Sequence, residues 1–174
     1  GKPLPALKSL DAPRRVIYAG TFSKALFPAL RCAWLVVPVK QIAQFRHQAS
    51  LAPCAVPVLW QNTLADFLRE GHFWRHLKKM RQHYAQRRQW IEQALTQQGF
   101  QVVPQKGGIQ MVIRMIGDDI AHARKANAAG LAVQALSDWR IRSSGEGGLL
   151  LSFTNIVNEG MARQVAQQLR KALS

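Results

Sequence analysis

The sequence predicts an α/β fold, and three observations carry the prediction. Two short β-branched, apolar runs, 16–20 and 33–37, flank a polar loop. A long stretch with helical spacing follows, marked by Phe73, Leu77, Met80, Tyr84, Arg87, Ile91 and Leu95. Beyond Gly99, strand-like and helix-like runs alternate at short intervals. Continuous apolar strands separated by polar loops suggest a sheet covered on both faces, as α/β proteins have.

Each element has its own local reason. Residues 1–13 hold three prolines and read as an extended lead-in. Val16-Ile17-Tyr18-Ala19-Gly20 reads as a buried strand ending at a glycine. Thr21 to Leu30 reads as a loop or short turn closed by Phe27-Pro28, and 33–37 as a second buried strand. Pro38 to Arg46 offers a helix start, and Pro53 and Pro57 interrupt the chain after it. From Val58 the pattern is helical, clearest between His72 and Gln98, with Gly99 placed to end the helix. Phe100–Val103 and Ile109–Met115 then read as strands. Asp118 or Asp119 can cap a helix running through Ala129 to Gly130. Leu131–Leu136 and Gly148–Phe153 are further strand candidates, and 158–173 closes the chain as a helix. Two strands cannot bury both faces alone, so the first piece reads as part of a larger sheet. Residues from about 70 onward can hold a core of their own.

Composition narrows the function classes. At 174 residues, 48% hydrophobic and 19% charged, the chain is globular in character and the size of one ordinary domain. No apolar run approaches the roughly 20 residues of a membrane span, and residues 1–5 lack a secretory apolar stretch. Two cysteines, Cys32 and Cys54, give neither a disulfide framework nor metal-ligand spacing, which favours a reduced, cytoplasmic protein. His76 and His83 have no carboxylate or cysteine at ligand spacing, so no metal site is expected. The net charge is +15, from 24 Lys and Arg against 9 acids. Two explanations stand side by side: a nucleic-acid or acidic partner, or an acidic remainder of the same protein facing these side chains. The basic run His72, Arg75, His76, Lys78, Lys79, Arg81, His83, Arg87 and Arg88 has the same two readings, phosphate contact or a solvated interdomain helix.

The loop at Thr21–Arg31 carries the chemistry. It puts two hydroxyls, an amine and a guanidinium within eleven residues, at the carboxyl end of a predicted strand, where open α/β sheets bind ligands. Hydroxyls and an arginine suit a phosphate, and a lysine beside that phosphate can form a Schiff base with a carbonyl. No Gly-rich P-loop or dinucleotide fingerprint occurs in the chain, so an aldehyde-bearing phosphate cofactor fits better than a nucleotide. The bland alternative is a solvated lysine beside a turn.

The run Val16-Ile17-Tyr18-Ala19-Gly20-Thr21-Phe22-Ser23-Lys24-Ala25-Leu26-Phe27-Pro28-Ala29-Leu30-Arg31 resembles the lysine segment of fold-type I aminotransferases. It is most similar to the aminotransferase-like domain of MocR-type regulators in the GntR family. Phe67-Leu68-Arg69-Glu70-Gly71-His72-Phe73 with the helix after it, Pro3-Leu4-Pro5-Ala6-Leu7, Gly107-Gly108-Ile109 and Leu149-Leu150-Leu151-Ser152-Phe153 fit the same pattern. The resemblance implies the C-terminal portion of a pyridoxal 5′-phosphate (PLP) dependent transferase fold, the end of the large-domain sheet plus a small α/β domain. Residues 1–57 would be the large-domain part with the lysine loop, 58–98 an interdomain helical region, and 99–174 the small C-terminal domain. It implies PLP on Lys24, with Thr21, Ser23 and Arg31 holding the phosphate.

The resemblance also implies what to expect of the whole. DNA would be bound through an N-terminal winged helix outside this chain, the full-length protein would be a homodimer, and PLP or an amino compound would be the effector. The ring-stacking aromatic and the pyridine-nitrogen aspartate of the family belong to the earlier half of the domain. The isolated chain is therefore expected to bind PLP weakly and to lack useful catalysis. Where the family places a carboxylate-binding arginine before the last strand, this sequence has Leu150; Arg140 and Arg142 are substitutes if the Gly-rich loop folds back. Gln110 stands near the substrate side in the same pattern. The alternative is part of a genuine aminotransferase moving an amino group from an amino acid to a 2-oxo acid, against which Leu150 counts. A third reading is a basic nucleic-acid-binding module without PLP chemistry.

Overall fold

The computed structural model describes residues 5–51, 56–105, 107–141 and 145–174. The chain divides into two compact units, Gly1–Leu77 and Lys78–Ser174, and each is taken by itself.

In the first unit, Asp11 decides where the first strand can begin. Its carboxylate accepts the amides of Arg15 at 2.9 Å and Val16 at 2.7 Å. Those bonds, Val16 before Arg15, hold the Asp11 carboxyl below its ordinary range. With these two amides occupied, strand β1 covers Tyr18–Thr21, two residues later than the β-branched run suggests. It pairs antiparallel with β2 (Ala33–Val36), Tyr18 opposite Val36 and Thr21 opposite Ala33. The expected burial on both faces is not met in this pair: Tyr18, Trp34, Leu35 and Val36 are all exposed. A two-stranded ribbon has too little surface to cover itself. A 3₁₀ turn at Val39–Gln41 leads into α1 (Ile42–Leu51). The helical stretch after Val58 is two helices, not one: α2 (Val58–Arg69) ends at Glu70, and α3 (His72–Gln97) begins after Gly71. Gly71 makes the break with φ of 73°, a conformation that costs a side-chain-bearing residue strain.

The second unit is built on a three-stranded antiparallel sheet in the order β3 (Gln110–Met115), β5 (Gly147–Ser152), β4 (Val133–Ala135). Period-two alternation puts Met111, Ile113, Leu149, Leu151, Val133 and Ala135 on one face, and all six are buried. Against that face pack Ile91, Ala94 and Leu95 of α3, Ala123 and Ala126 of α4 (Asp119–Ala128), and Ala162, Ala166 and Leu169 of α5 (Glu159–Leu173). Small alanines let α4 and α5 approach closely. Asp118 caps α4 by accepting the amides of Ile120 and Ala121, both at 3.0 Å, and Asn158 caps α5 by accepting Met161 N–H at 2.8 Å. The expected strand at Phe100–Val103 is reduced to a single bridge between Val102 and Ile113. Phe100 itself turns into the core behind Gly99, whose φ of 81° ends α3. No described helix is long and apolar enough to cross a membrane.

This core predicts a sharp contrast between two leucines. Leu95→Ala, at a fully buried position, should cost about 2–5 kcal/mol, while Leu59→Ala, at 72% exposure, should stay within about 0.5 kcal/mol. Urea midpoints measured on the two variants check the contrast.

Candidate functional site

The lysine loop is the connection between β1 and β2. Because Thr21 pairs with Ala33, the two ends of the loop lie side by side, and Arg31 stands two residues from the partner of Thr21. The Cys32 carbonyl fastens the base. It accepts Phe22 N–H at 3.1 Å and lies 3.3 Å from Thr21 Oγ1. Thr21 Oγ1 is also 3.0 Å from Ser23 Oγ and accepts Ser23 N–H at 3.1 Å. One hydroxyl proton cannot serve both the Ser23 and the Cys32 oxygens at once. The Thr21 hydroxyl is therefore shared and available for exchange with an incoming acceptor.

Further along, Leu26 N–H donates to Phe22 O at 2.7 Å and Ala25 N–H to the same oxygen at 3.1 Å, so Phe22–Leu26 coils tightly and turns Lys24 outward. Pro28–Leu30 forms a 3₁₀ turn that stops at Arg31, in the left-handed region with φ of 49°. Its N–H donates to Pro28 O at 3.2 Å. Lys24 and Arg31 are both exposed, and among the described residues neither side chain meets a hydrogen-bonding or ionic partner. The loop thus brings two hydroxyls and two cations to one end of a strand pair. That donor set fits a phosphate monoester carrying an aldehyde. The hydroxyls and guanidinium match phosphate oxygens, and the amine matches the carbonyl carbon.

Three supports of the loop escaped the sequence. His76 Nε2 lies 2.8 Å from the Ala25 carbonyl, so this histidine anchors the turn after Lys24. Phe73 packs edge-on against Phe22, with ring centroids 5.7 Å apart. Trp34 lies over Gly20, where a Cβ would fall 2.4 Å from the indole ring, and its centroid is 5.1 Å from that of Tyr18. None of these carries a local signal; His76 and Ala25 are 51 residues apart. Beside the loop is an apolar groove of about 830 Å³, lined among others by Thr21, Phe22, Cys32, Trp34, Leu64 and Phe73.

Arg140 lies in the second unit. Its guanidinium donates to the Glu146 carbonyl, and a Cβ at Gly145 would fall 2.7 Å from it. Arg114 pairs with the Glu146 carboxylate at 3.0 Å. Arg142 lies outside the described residues. Leu150 sits between Val112 and Gln134 on the open face of the sheet, and Gln110 stands opposite Ser152 at its end. Arg87, read earlier within the basic run, instead donates to the Thr154 carbonyl at the end of β5.

The fold and the loop define a class first: the chain has the architecture of PLP-dependent aminotransferases. It aligns over 99% of its length with *Pyrococcus horikoshii* kynurenine aminotransferase, TM-score 0.85 and 24% identity, covering 44% of that chain. It aligns equally far with LysN, the α-aminoadipate aminotransferase of *Thermus thermophilus*, complexed with N-(5′-phosphopyridoxyl)-L-leucine; the TM-score is 0.81, identity 26% and coverage 46%. The chain belongs to the family "Aminotransferase class I and II", whose model matches residues 4–145. Membership implies pyridoxal phosphate as the cofactor of that domain. Among curated proteins it is similar to the probable rhizopine catabolism regulatory protein MocR of *Rhizobium meliloti*, 35% identical over 178 residues. That match covers 99% of this chain and 36% of the relative, so the chain spans little more than a third of that protein's length.

The close approach at Gly20 is testable. Gly20→Ala should cost about 1–3 kcal/mol, because the new methyl collides with the Trp34 ring. In a Trp34→Leu background the same change should cost far less, and a double-mutant cycle by urea denaturation measures the difference.

Proposed function

We propose that this chain is the C-terminal part of a PLP-holding, aminotransferase-like effector domain of a MocR-type transcription regulator. The observation that carries the reading is the Thr21–Arg31 loop, where a shared hydroxyl pair and two cations, without a side-chain partner among the described residues, lie in one connection at the end of a strand pair. The similarity to a regulatory protein over nearly the whole chain favours regulation over metabolism.

In this reading Lys24 holds the cofactor covalently through its amine. Thr21 and Ser23 donate hydroxyl hydrogens to phosphate oxygens, and Arg31 adds the charge-assisted contact that selects a dianion. When bound, PLP would supply an electrophilic aldehyde carbon, for which Lys24 and an amino compound would compete. Such an exchange changes the covalent state of Lys24, giving the differential interaction a switch requires. His76 and Phe73 hold the turn on either side of Lys24, at Ala25 and Phe22. Residues 1–57 act as the lysine-bearing part of the large domain, 58–98 as the interdomain helical region and 99–174 as the small domain. Arg140 and Arg142 are the arginines offered to an effector's acidic group. DNA contact belongs to a winged-helix domain of the intact cytoplasmic protein, whose two copies pair as a homodimer.

The test adds PLP to the purified chain and to Lys24→Ala. The wild type should develop the absorbance band of covalently bound cofactor, and Lys24→Ala should not. Thr21→Val should weaken binding about tenfold, the scale of one charge-assisted hydrogen bond. Amino compounds added afterwards should shift the band if the site senses amines. An equal band in Lys24→Ala would refute the assignment of Lys24.

A further inference from the structure

The second unit contains one charged group among its described buried residues: Asp119, at 2% exposure. It is the first residue of α4, next to the capping Asp118, and its carboxylate points away from that cap toward β5. A single oxygen, Oδ2, accepts Gly148 N–H at 2.9 Å and Ser137 N–H at 3.1 Å. These two donors are the entrance and the exit of the segment carrying Arg140. Leu136 N–H also donates to Gly148 O at 2.8 Å, so the ends of the segment are held edge to edge.

The surrounding sequence is shaped around that carboxylate. A Cβ at Gly147 would fall 3.3 Å from the Asp119 Cβ and 3.2 Å from the Met115 carbonyl. A Cβ at Gly148 would fall 3.0 Å from the Ile113 carbonyl. Gly147 thus lets β5 pass close to α4, and Gly148 lets it pass close to β3, where one carboxylate oxygen reaches both amides. Burial alone would raise the Asp119 pKa. The Gly148 amide and the Ser137 side chain and amide outweigh it, with Arg140 adding attraction, and the carboxyl stays below its ordinary range.

We propose that Asp119 is a positioning residue: by holding the Ser137 and Gly148 amides on one acceptor oxygen, it sets the place of the Arg140 guanidinium. Arg140 adds a second tie, donating to the Glu146 carbonyl while Glu146 holds Arg114 at 3.0 Å. This arrangement belongs to this unit alone and does not depend on the reading of Lys24. It also separates acceptor geometry from charge. An asparagine can put its amide oxygen where Oδ2 lies and keep both bonds, whereas alanine removes the acceptor and strands one buried and one half-buried amide.

Amide hydrogen exchange followed by NMR tests this on the 174-residue chain. In the wild type the Ser137 and Gly148 amides should exchange more slowly than those of Ile141 and Glu146. Asp119→Ala should accelerate Ser137 and Gly148 on the order of tenfold or more, and move the Arg140 Nε–H resonance. The amides of Ile113 and Leu151 should keep their protection. Asp119→Asn should restore Ser137 and Gly148 to within about threefold of wild type, the residue being the closest isostere that keeps the acceptor. The proposal fails if Asp119→Ala leaves both amides protected, if Asp119→Asn exchanges as fast as Asp119→Ala, or if acceleration spreads evenly through β3 and β5. If Asp119→Ala does not fold, the wild-type ranking and the asparagine variant decide. Equal exchange at Ser137, Ile141, Glu146 and Gly148 in the wild type would overturn the proposal by itself.

Discussion

The Cys32 carbonyl is the fixed point on which the lysine loop depends. It takes the Phe22 amide and stands within reach of the Thr21 hydroxyl, so both strands of the first unit are tied at the place where the loop leaves them. Everything chemical about the loop follows from that tie. Thr21 is held beside Ser23, the Phe22–Leu26 coil turns Lys24 outward, and Arg31 returns to the same end of the ribbon. A loop of this length without such a tie would spread its four functional groups over many conformations. Pre-ordering them reduces the entropy lost when a ligand is bound.

The second unit is organised differently. Its stability rests on one apolar face of a three-stranded sheet, covered by the C-terminal part of α3 and by α4 and α5. The polar contacts there are placed where they direct the chain and not where they add bulk stability. Asp119 ties Ser137 to Gly148, Asn127 holds the start of β4 by bonding Val133 in both directions, and Arg87 holds the turn after β5. Buried polar groups that are fully paired specify one arrangement among several with similar apolar burial.

Much of this was legible in the sequence. The period-two runs around Met111–Ile113 and Leu149–Leu151 give β3 and β5, and Asp118 and Asn158 announce their helices. Gly99 and Gly130 mark helix ends because only glycine takes positive φ freely. The Thr21–Arg31 chemistry is equally local, since all four groups lie within eleven residues. What escaped is what depends on distance in the chain. The bond between His76 and Ala25, the Trp34 ring over Gly20, and the carboxylate joining Ser137 to Gly148 pair residues with no periodic relation. The late start of β1 escaped for a related reason: the Asp11 carboxylate captures amides that the apolar pattern assigns to a strand.

The family places this architecture among PLP-dependent proteins, while the regulatory relative and the loop's own donors bear on how it is used. The central claim is that Lys24, among several exposed lysines, is the one the fold prepares for a carbonyl. The direct measurement is borohydride trapping of the chain with substoichiometric PLP, followed by peptide mass spectrometry to locate the phosphopyridoxyl group. The account predicts the group on the peptide carrying Lys24, with little on those carrying Lys40, Lys78 or Lys125. Label spread over those lysines in proportion to their exposure would contradict it.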